Sequence, residues 1–566
     1  MPKTGLPNVA RVQFFADENP SLWLEVKGKK YALSQYSATF AVNEIPSATC
    51  VLATGKQVDK SEGVTFAPAE KLAEELSGVG MADAVVWLDF NKTETDWHPN
   101  APDPWTGKKK IFEGYYAGLS YRRIGEKIQL TVSLVHKLVD LTFGSIFSAK
   151  MHPSNSASLI NPAVAKVLGG CKGAAAGASK GAWTSTSFIG EKLPDCDFCR
   201  GDDVGFGGKL LKVLDCLAQL DLFDLPCEGG APTNEGNQRA AEIIQNIQSE
   251  TGGLQSPLDA LPFSTSIAAY VGKCLNSFRG ITFWDLLVGK WCPDFMVTFV
   301  PYPSKDFGGK YKCYGNLIPT FPTIKDVHMN FFLEDYVDFE MKATQHKPLM
   351  AVGILAPFVS TTGAVVWNED KQPTKGYTCI GGQYPPKPEG RTGQYLTLDA
   401  PNWFQQVLSS SAGAHLMAKG GKDAMDPSNK QPKRKVTFET NKSQIYKVLD
   451  KIAHVFYATN ALRGRTGSFG SKLRFDIPPG TRLLLNKDSI FGSADTKELP
   501  GDFHVYVNRV NYNINSDTPM ARTTFECSAI RNNKEVAEAD YTLTEHPFLT
   551  GTWVGGEFVK DWSPPK

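Results

Sequence analysis

The sharpest chemical signal in the sequence is CDFCR, which sets Cys196 and Cys199 at the spacing of a metal-binding pair. Cys171, Cys216 and Cys227 lie near enough along the chain to complete a zinc or iron–sulfur site. Two thiolates are only half of a tetrahedral ligand set, and neither a second CxxC nor a histidine pair supplies the rest. The expectation is that these cysteines are buried thiols and that the chain carries no metal and no cofactor, with zinc or iron–sulfur as the alternative. All 11 cysteines, from Cys50 to Cys527, are odd in number and irregular in spacing, which argues against a secreted disulfide framework.

Catalytic signatures are scarce. The 9 histidines are dispersed, and neither HExxH nor GxxxxGK[ST] occurs. His98 sits in the proline-rich TDWHPNAPDPW, while His136, His454 and His504 fall in strand or helix patterns where a hydrogen-bonded structural imidazole is expected. No residue is assigned a catalytic role, and the chain is expected not to be an enzyme. The RGD at Arg200–Asp202 is short enough to arise by chance. The basic runs at Pro432–Lys435 and Lys108–Lys110 read as solvated loops, with no aromatic stacking platform interleaved in sequence.

The elements that would position such groups are mostly strands. Aromatic residues make up 11% of the chain, and 51 Gly with 36 Pro favour strands and turns over a helical bundle. With 42% hydrophobic and 21% charged residues the chain has ordinary globular composition, and 566 residues suggest about three or four compact units. A net charge of +1 gives no global pull toward nucleic acid or an anionic membrane. No stretch of about 18 apolar residues occurs, so no membrane-spanning segment is expected, and the opening MPKTGLPNVARVQFF lacks a signal-peptide pattern, which predicts synthesis in the cytoplasm.

Residues 1–147 alternate: Tyr36, Ala38, Phe40 and Val42 share one face of a strand that breaks before Pro46. A short helix is predicted over Pro68–Leu76, then the strand AVVWLDF. IFEGYYAGLSYRR and KIQLTVSLVHKL follow as a hairpin around Gly125, with Ile128, Leu130, Val132 and Leu134 alternating. This unit reads as an antiparallel barrel or sandwich. Residues 148–325 change character, mixing Ala/Gly-rich runs with helical patterns such as LLKVLDCLAQLDLF, and close with TFWDLLVGKWCPDFMVTFVPYP, an amphipathic helix entering an apolar strand. Strands resume over residues 326–374 and again over 491–548. In the second of these, alternation changes face between Val507 and Val510, as a β-bulge would cause. Residues 375–490 read as an insert whose helix SQIYKVLDKIAHVFYATNAL carries Ile445, Val448, Leu449, Ile452, Val455 and Phe456 as one stripe, and residues 549–566 as a tail. The fold class is mainly β with helical inserts (α+β).

Four segments in succession give the chain a family resemblance: VNEIPSATCVLATG, KIFEGYYAGLSYRRIGEKIQLTVSLVHKLVDLTFGS, TFWDLLVGKW…FMVTFVP and DFHVYVNRVNYNINSDTPMARTTFECSAIR. Together they resemble the hub proteins of bacteriophage tails and baseplates, a family related to the base of the type VI secretion spike. Residues 150–260 fall outside the resemblance. It implies two tube-type antiparallel β-barrels per chain, a first in 1–147 and a split second in 326–374 and 491–548. It also implies a homotrimer that adapts a sixfold tail tube to a threefold spike or tip. The implied partners are the tail tube or distal tail protein, the spike or central fibre protein, and transiently the ejected DNA, near which the basic runs would lie. The implied location is the virion tail, assembled in the host cytoplasm. The rival readings are a peptidoglycan-degrading tail enzyme on a hub scaffold and a receptor-binding adhesin of the virion.

Overall fold

The computed structural model describes residues 20–55, 63–96, 106–125, 127–143, 281–295, 297–307, 314–319, 336–343, 349–359, 377–385, 393–399, 465–487, 501–516 and 521–534, with shorter stretches around them. Strand dominates among these, as the composition predicts, and the expectation of a mainly β chain holds.

Six antiparallel strands form a ring. They are β1 (Leu22–Val26), β2 (Lys29–Ala41), β3 (Ser47–Leu52), β4 (Asp83–Asp89), β5 (Lys108–Ile124) and β6 (Lys127–His136). Hydrogen bonding runs β2–β1–β4–β5–β6–β3 and closes where β3 pairs with β2. Alternation decides which side chains go inside. Leu22, Leu24 and Val26 of β1, Tyr36, Ala38 and Phe40 of β2, and Leu130, Val132 and Leu134 of β6 are all buried in one core. The ring is therefore filled by side chains and is not a pore. Helix α1 (Ala69–Ser77) lies where the sequence predicts it and packs Leu72 and Leu76 into the same core.

Two bulges shape β5. Its register with β4 slips between Val86 and Trp87, leaving Ile111 unpaired, and its register with β6 slips between Ser133 and Leu134 at Ala117. The first turns the Ile111 carbonyl to accept a 3.2 Å hydrogen bond from the buried Tyr36 hydroxyl.

Strand β2 is longer than the ring needs, and its second half is shared. Residues 29–32 pair with β1, whereas Gln35–Ala41 pair with a strand from near the C-terminus. A second set of strands starts from that junction. In chain order its members are β7 (Met329–Phe331), β8 (Tyr336–Ala343), β9 (Arg465–Lys472), β10 (Arg482–Leu485), β11 (Phe503–Asn515) and β12 (Arg522–Asn532). Pairing runs β8–β9–β12–β11–β2, with β10 joining β11 and β7 joining β10. Phe331, Phe469, Phe525, Val507, Val510, Tyr512 and Ile514 continue the ring's hydrophobic core without a break.

The bulge expected between Val507 and Val510 is present: the β11–β12 register shifts between Val507 and Arg509, and both valines are fully buried. Strands β9 and β10 fall within residues 375–490, the stretch read from sequence as an insert. Residues Leu349–Val359 form a separate three-stranded sheet with Tyr377–Tyr384 and Gln394–Asp399. Beside it, the described positions among 449–460 are helical, and Leu449, Ile452 and Tyr457 are buried. Among the described residues no helix is long and apolar enough to cross a membrane.

Candidate functional site

A polar cluster lies where the segment 283–319 docks on the ring, next to the strand the two sets share. Residues Asp285–Trp291 are a π-helix and Cys292–Phe295 one turn of α-helix, leading into strand Val297–Pro301, which pairs with Gly315–Pro319. The predicted helix-into-strand passage is thus present. Phe299 is its anchor: fully buried, edge-on to Trp284 at 5.5 Å, and crossed by Gly315, where a Cβ would lie 2.3 Å from the ring.

Asn43, in the turn after β2, holds that anchor by two hydrogen bonds. Its N–H donates to the Phe299 carbonyl at 2.9 Å, and its side-chain Oδ1 accepts from the Phe299 N–H at 2.8 Å. The backbone of Asn43 is left-handed, at φ 60°. Asparagine tolerates this region better than most residues. One residue back, the Val42 N–H donates to the Asn508 carbonyl of β11 at 3.0 Å. Adjacent residues therefore tie the ring to both the docked segment and the second set.

Downstream, residues 302–307 close over the Ile111 bulge. Glu113 is 5% exposed, and its carboxylate accepts from the Lys110 ammonium at 2.7 Å and from the Lys305 N–H at 3.1 Å. Its own N–H donates to the Pro303 carbonyl, the Ser304 hydroxyl donates to the Lys110 carbonyl, and the Lys110 N–H donates to Asp306 at 2.9 Å. Burial, then the charge of Glu113, pushes the Tyr314 phenol above its usual range.

His136 is fully buried against this seam, edge-on to Phe40, Phe112 and Tyr314. Its Nδ1 accepts from the Leu138 N–H at 3.3 Å. Burial drives its pKa down to about 3, against the opposing pull of the Pro303 and Tyr302 carbonyls, so the ring stays neutral. Nearby, the Tyr115 hydroxyl donates to Asp140 at 2.8 Å, and Lys137 pairs with Asp83 while its ammonium lies 3.8 Å from the Tyr115 ring centre. Burial raises the Asp140 carboxyl, although Tyr115 and Lys137 pull it down. These acids, phenols and amines direct their hydrogen bonds at one another and at the docked backbone. Their chemistry is that of a clamp.

The second set has its own buried charge. Arg474 is 2% exposed, donates twice to Asp476 at 2.9 and 2.8 Å, and lies 5.2 Å from the Phe331 ring centre. Sequence reasoning did not single out Arg474, Asn43 or Glu113. An arginine two residues from an aspartate is too common a pattern to stand out.

The sequence-predicted residues do not converge. His454 stacks on Tyr384 at 3.8 Å beside the three-stranded sheet, and His504 of β11 has a ring nitrogen 2.9 Å from Asn533 Oδ1. His98, Cys171, Cys196, Cys199, Cys216, the RGD at Arg200–Asp202 and the run Pro432–Lys435 lie outside the described residues, and of Cys227 only the backbone is described. The sequence GASKG at 177–181, which matches the GxSxG spacing of a nucleophile elbow, also lies outside them; its Ala/Gly-rich flank lacks the apolar strand such an elbow needs. Among the described residues no cluster of His, Cys, Asp or Glu could hold a metal. Cys50, Cys292 and Cys527 are free and buried, and burial raises all three thiols.

One expectation needs correction: Lys108–Lys110 open strand β5 and pair with β4 instead of forming a solvated loop, and that pairing gives Lys108 and Lys110 aromatic neighbours. Trp23 and Trp87 stack at 6.2 Å on the face of β1 and β4 opposite the core, with the ammonium of Lys108 5.5 Å from Trp23 and that of Lys110 5.5 Å from Trp87. Trp23 is only 5% exposed, packed with Ala32, Ala53 and Val64 as well as stacked on Trp87, and offers no open face for stacking.

No family model and no curated protein matches the chain. Solved structures do. One is the 43 kDa tail protein of prophage MuSo2 from Shewanella oneidensis, with TM-score 0.34 and 7% identity over 90% of this chain and 97% of that one. Another is a tail protein from Neisseria meningitidis MC58, with TM-score 0.32 and 9% identity over 90% and 96% of the two chains. A third is an E. coli type VI secretion component, described as similar to the T4 bacteriophage tail proteins gp27 and gp5, with TM-score 0.29 and 7% identity over 93% and 81%.

Proposed function

We propose that this chain is a structural hub of a bacteriophage tail, closing the tail tube and adapting its sixfold symmetry to a threefold spike or tip. The observation that carries the reading is the shared strand β2. One edge of it feeds a closed ring of six strands and also a second, largely antiparallel set, with a single core and the Val42–Asn508 hydrogen bond joining one to the other. Two strand-rich bodies held rigidly in one chain are what a trimer needs to present six equivalent modules, and a closed cyclic oligomer satisfies a repeated surface without growing a filament.

In this reading the first module is the ring within residues 1–147. The second is drawn from 326–374 and 491–548 together with β9 and β10. The ring interior is packed solid, so the genome's path lies on the axis between copies. The tail tube or distal tail protein binds one end and the spike or central fibre the other, with DNA passing transiently. The protein works in the virion tail, after assembly in the host cytoplasm. It acts by shape and performs no catalysis.

Light scattering on the purified chain tests the trimer. Three copies of 61.9 kDa give about 186 kDa. A stable dimer would contradict the symmetry adaptor, and clearing of peptidoglycan in a zymogram would contradict the purely structural role.

A further inference from the structure

Strand β5 outruns its neighbour. Pairing with β4 ends at Asp83–Tyr115, the Tyr116 N–H reaches the Ala82 carbonyl, and the chain then turns away through Gly80 and Met81 toward α1. Beyond that point residues 117–124 pair only with β6, so among the described residues their other edge has no strand partner. A groove of about 500 Å³ opens along this edge, floored by Ala73, Val79 and Leu119 and flanked by Met81 and Tyr121. Met81 is 53% exposed and Tyr121 76%, large apolar groups for a solvated surface. Arg122 and Arg123 beside them are exposed and make the tip basic.

The sheet has a second open edge. Among the described residues, strand β8 (Tyr336–Ala343) pairs only with β9. Its exposed residues include Met341, at 42%, and Glu340, which pairs with Lys342 on the same exposed strand. Asp338 is already paired with Arg522.

We infer that the edge at 117–124 of one copy pairs antiparallel with the β8 edge of a second copy, placing Tyr121 opposite Met341 and Arg122 opposite Glu340. This rests on the trimeric reading and names its contact. The charge pattern selects the register. Leu119 faces the core side of β5, so Tyr121 does too, and on β8 Phe339 and therefore Met341 face the core side. Same-side residues meet across an antiparallel pair, so this register joins the apolar pair on one face and the opposite charges on the other. Sulfur against an aromatic ring is a favourable contact. Two different edges meeting head to tail form a heterologous contact, which closes into a ring when the rotation permits. Pairing also satisfies backbone groups that an open edge leaves exposed.

The test is a charge swap on the full chain, read by light scattering and sedimentation, with circular dichroism to confirm that each variant folds. Arg122→Glu and Glu340→Arg should each weaken self-association about tenfold, since each puts like charges opposite one another. The double variant should recover most of the loss, and Tyr121→Cys with Met341→Cys should give an interchain disulfide under mild oxidation. A wild-type trimer unmoved by either single variant would overturn this contact and leave the hub reading standing. A wild-type chain that never self-associates would overturn both.

Discussion

Acidification should weaken the seam through His136. The imidazole is fully buried, and its pKa falls from 6.5 to about 3. Between those values the unfolded chain binds a proton that the folded chain refuses, so stability rises with pH and is lost as pH falls below 6.5. From pH 7 to pH 5 the loss attributable to this group is about 2 kcal/mol, taking about 1.36 kcal/mol per pH unit below the unfolded value. Asp140 works in the opposite direction. Its raised carboxyl holds a proton more readily in the folded chain, so it gains relative stability as pH falls through its folded value. The two are separated by His136→Asn, whose amide oxygen can accept from the Leu138 N–H as Nδ1 does, while nothing there titrates. Urea unfolding followed by tryptophan fluorescence at pH 7 and pH 5 gives the comparison. The variant starts less stable because it leaves space among three aromatic rings, but its pH-dependent loss should be smaller than the wild type's by about 2 kcal/mol. Parallel stability curves for the two proteins would refute the argument.

Asn43→Ala should destabilise the junction by about 2 to 3 kcal/mol, losing a half-buried hydrogen bond and forcing alanine into left-handed backbone. Asn43→Gly should cost about 1 kcal/mol less, since only the hydrogen bond goes; thermal melts of the pair decide it. Arg474→Met should cost about 3 to 5 kcal/mol by leaving Asp476 without its partner, and adding Asp476→Leu should recover part of the loss in the same melts. In the native protein at pH 8, Cys50, Cys292 and Cys527 should resist alkylation as judged by peptide mapping, because burial keeps them as thiols. Elemental analysis should find less than about half an equivalent of zinc or iron, since CxxC at Cys196 and Cys199 offers two of four ligands.

Local patterns were legible in the sequence, and long-range closures were not. Tyr36, Ala38 and Phe40 declare a buried face because strand periodicity is short, and the face change between Val507 and Val510 marks the bulge. Helix α1 and the β5–β6 hairpin were readable for the same reason. Strand β9 was not: RTGSFGSK has no apolar alternation, and its burial comes from the neighbours β8 and β12. The clamp was invisible because its partners lie far apart, with Asn43 and Phe299 separated by 256 positions and Lys110 and Asp306 by 196. An asparagine in a turn and a glutamate in a strand look ordinary until the docked segment supplies their hydrogen-bond partners. The Trp23–Trp87 stack likewise exists only through the β1–β4 register.

The most direct test of the account is a three-dimensional reconstruction of the purified assembly by electron microscopy. The account predicts a threefold particle in which the strand ring and the second strand set of each chain alternate around an open axial channel, making six similar modules. A particle with twofold symmetry, or a threefold one whose two strand sets lie at unequal distances from the axis with no channel between them, would contradict it.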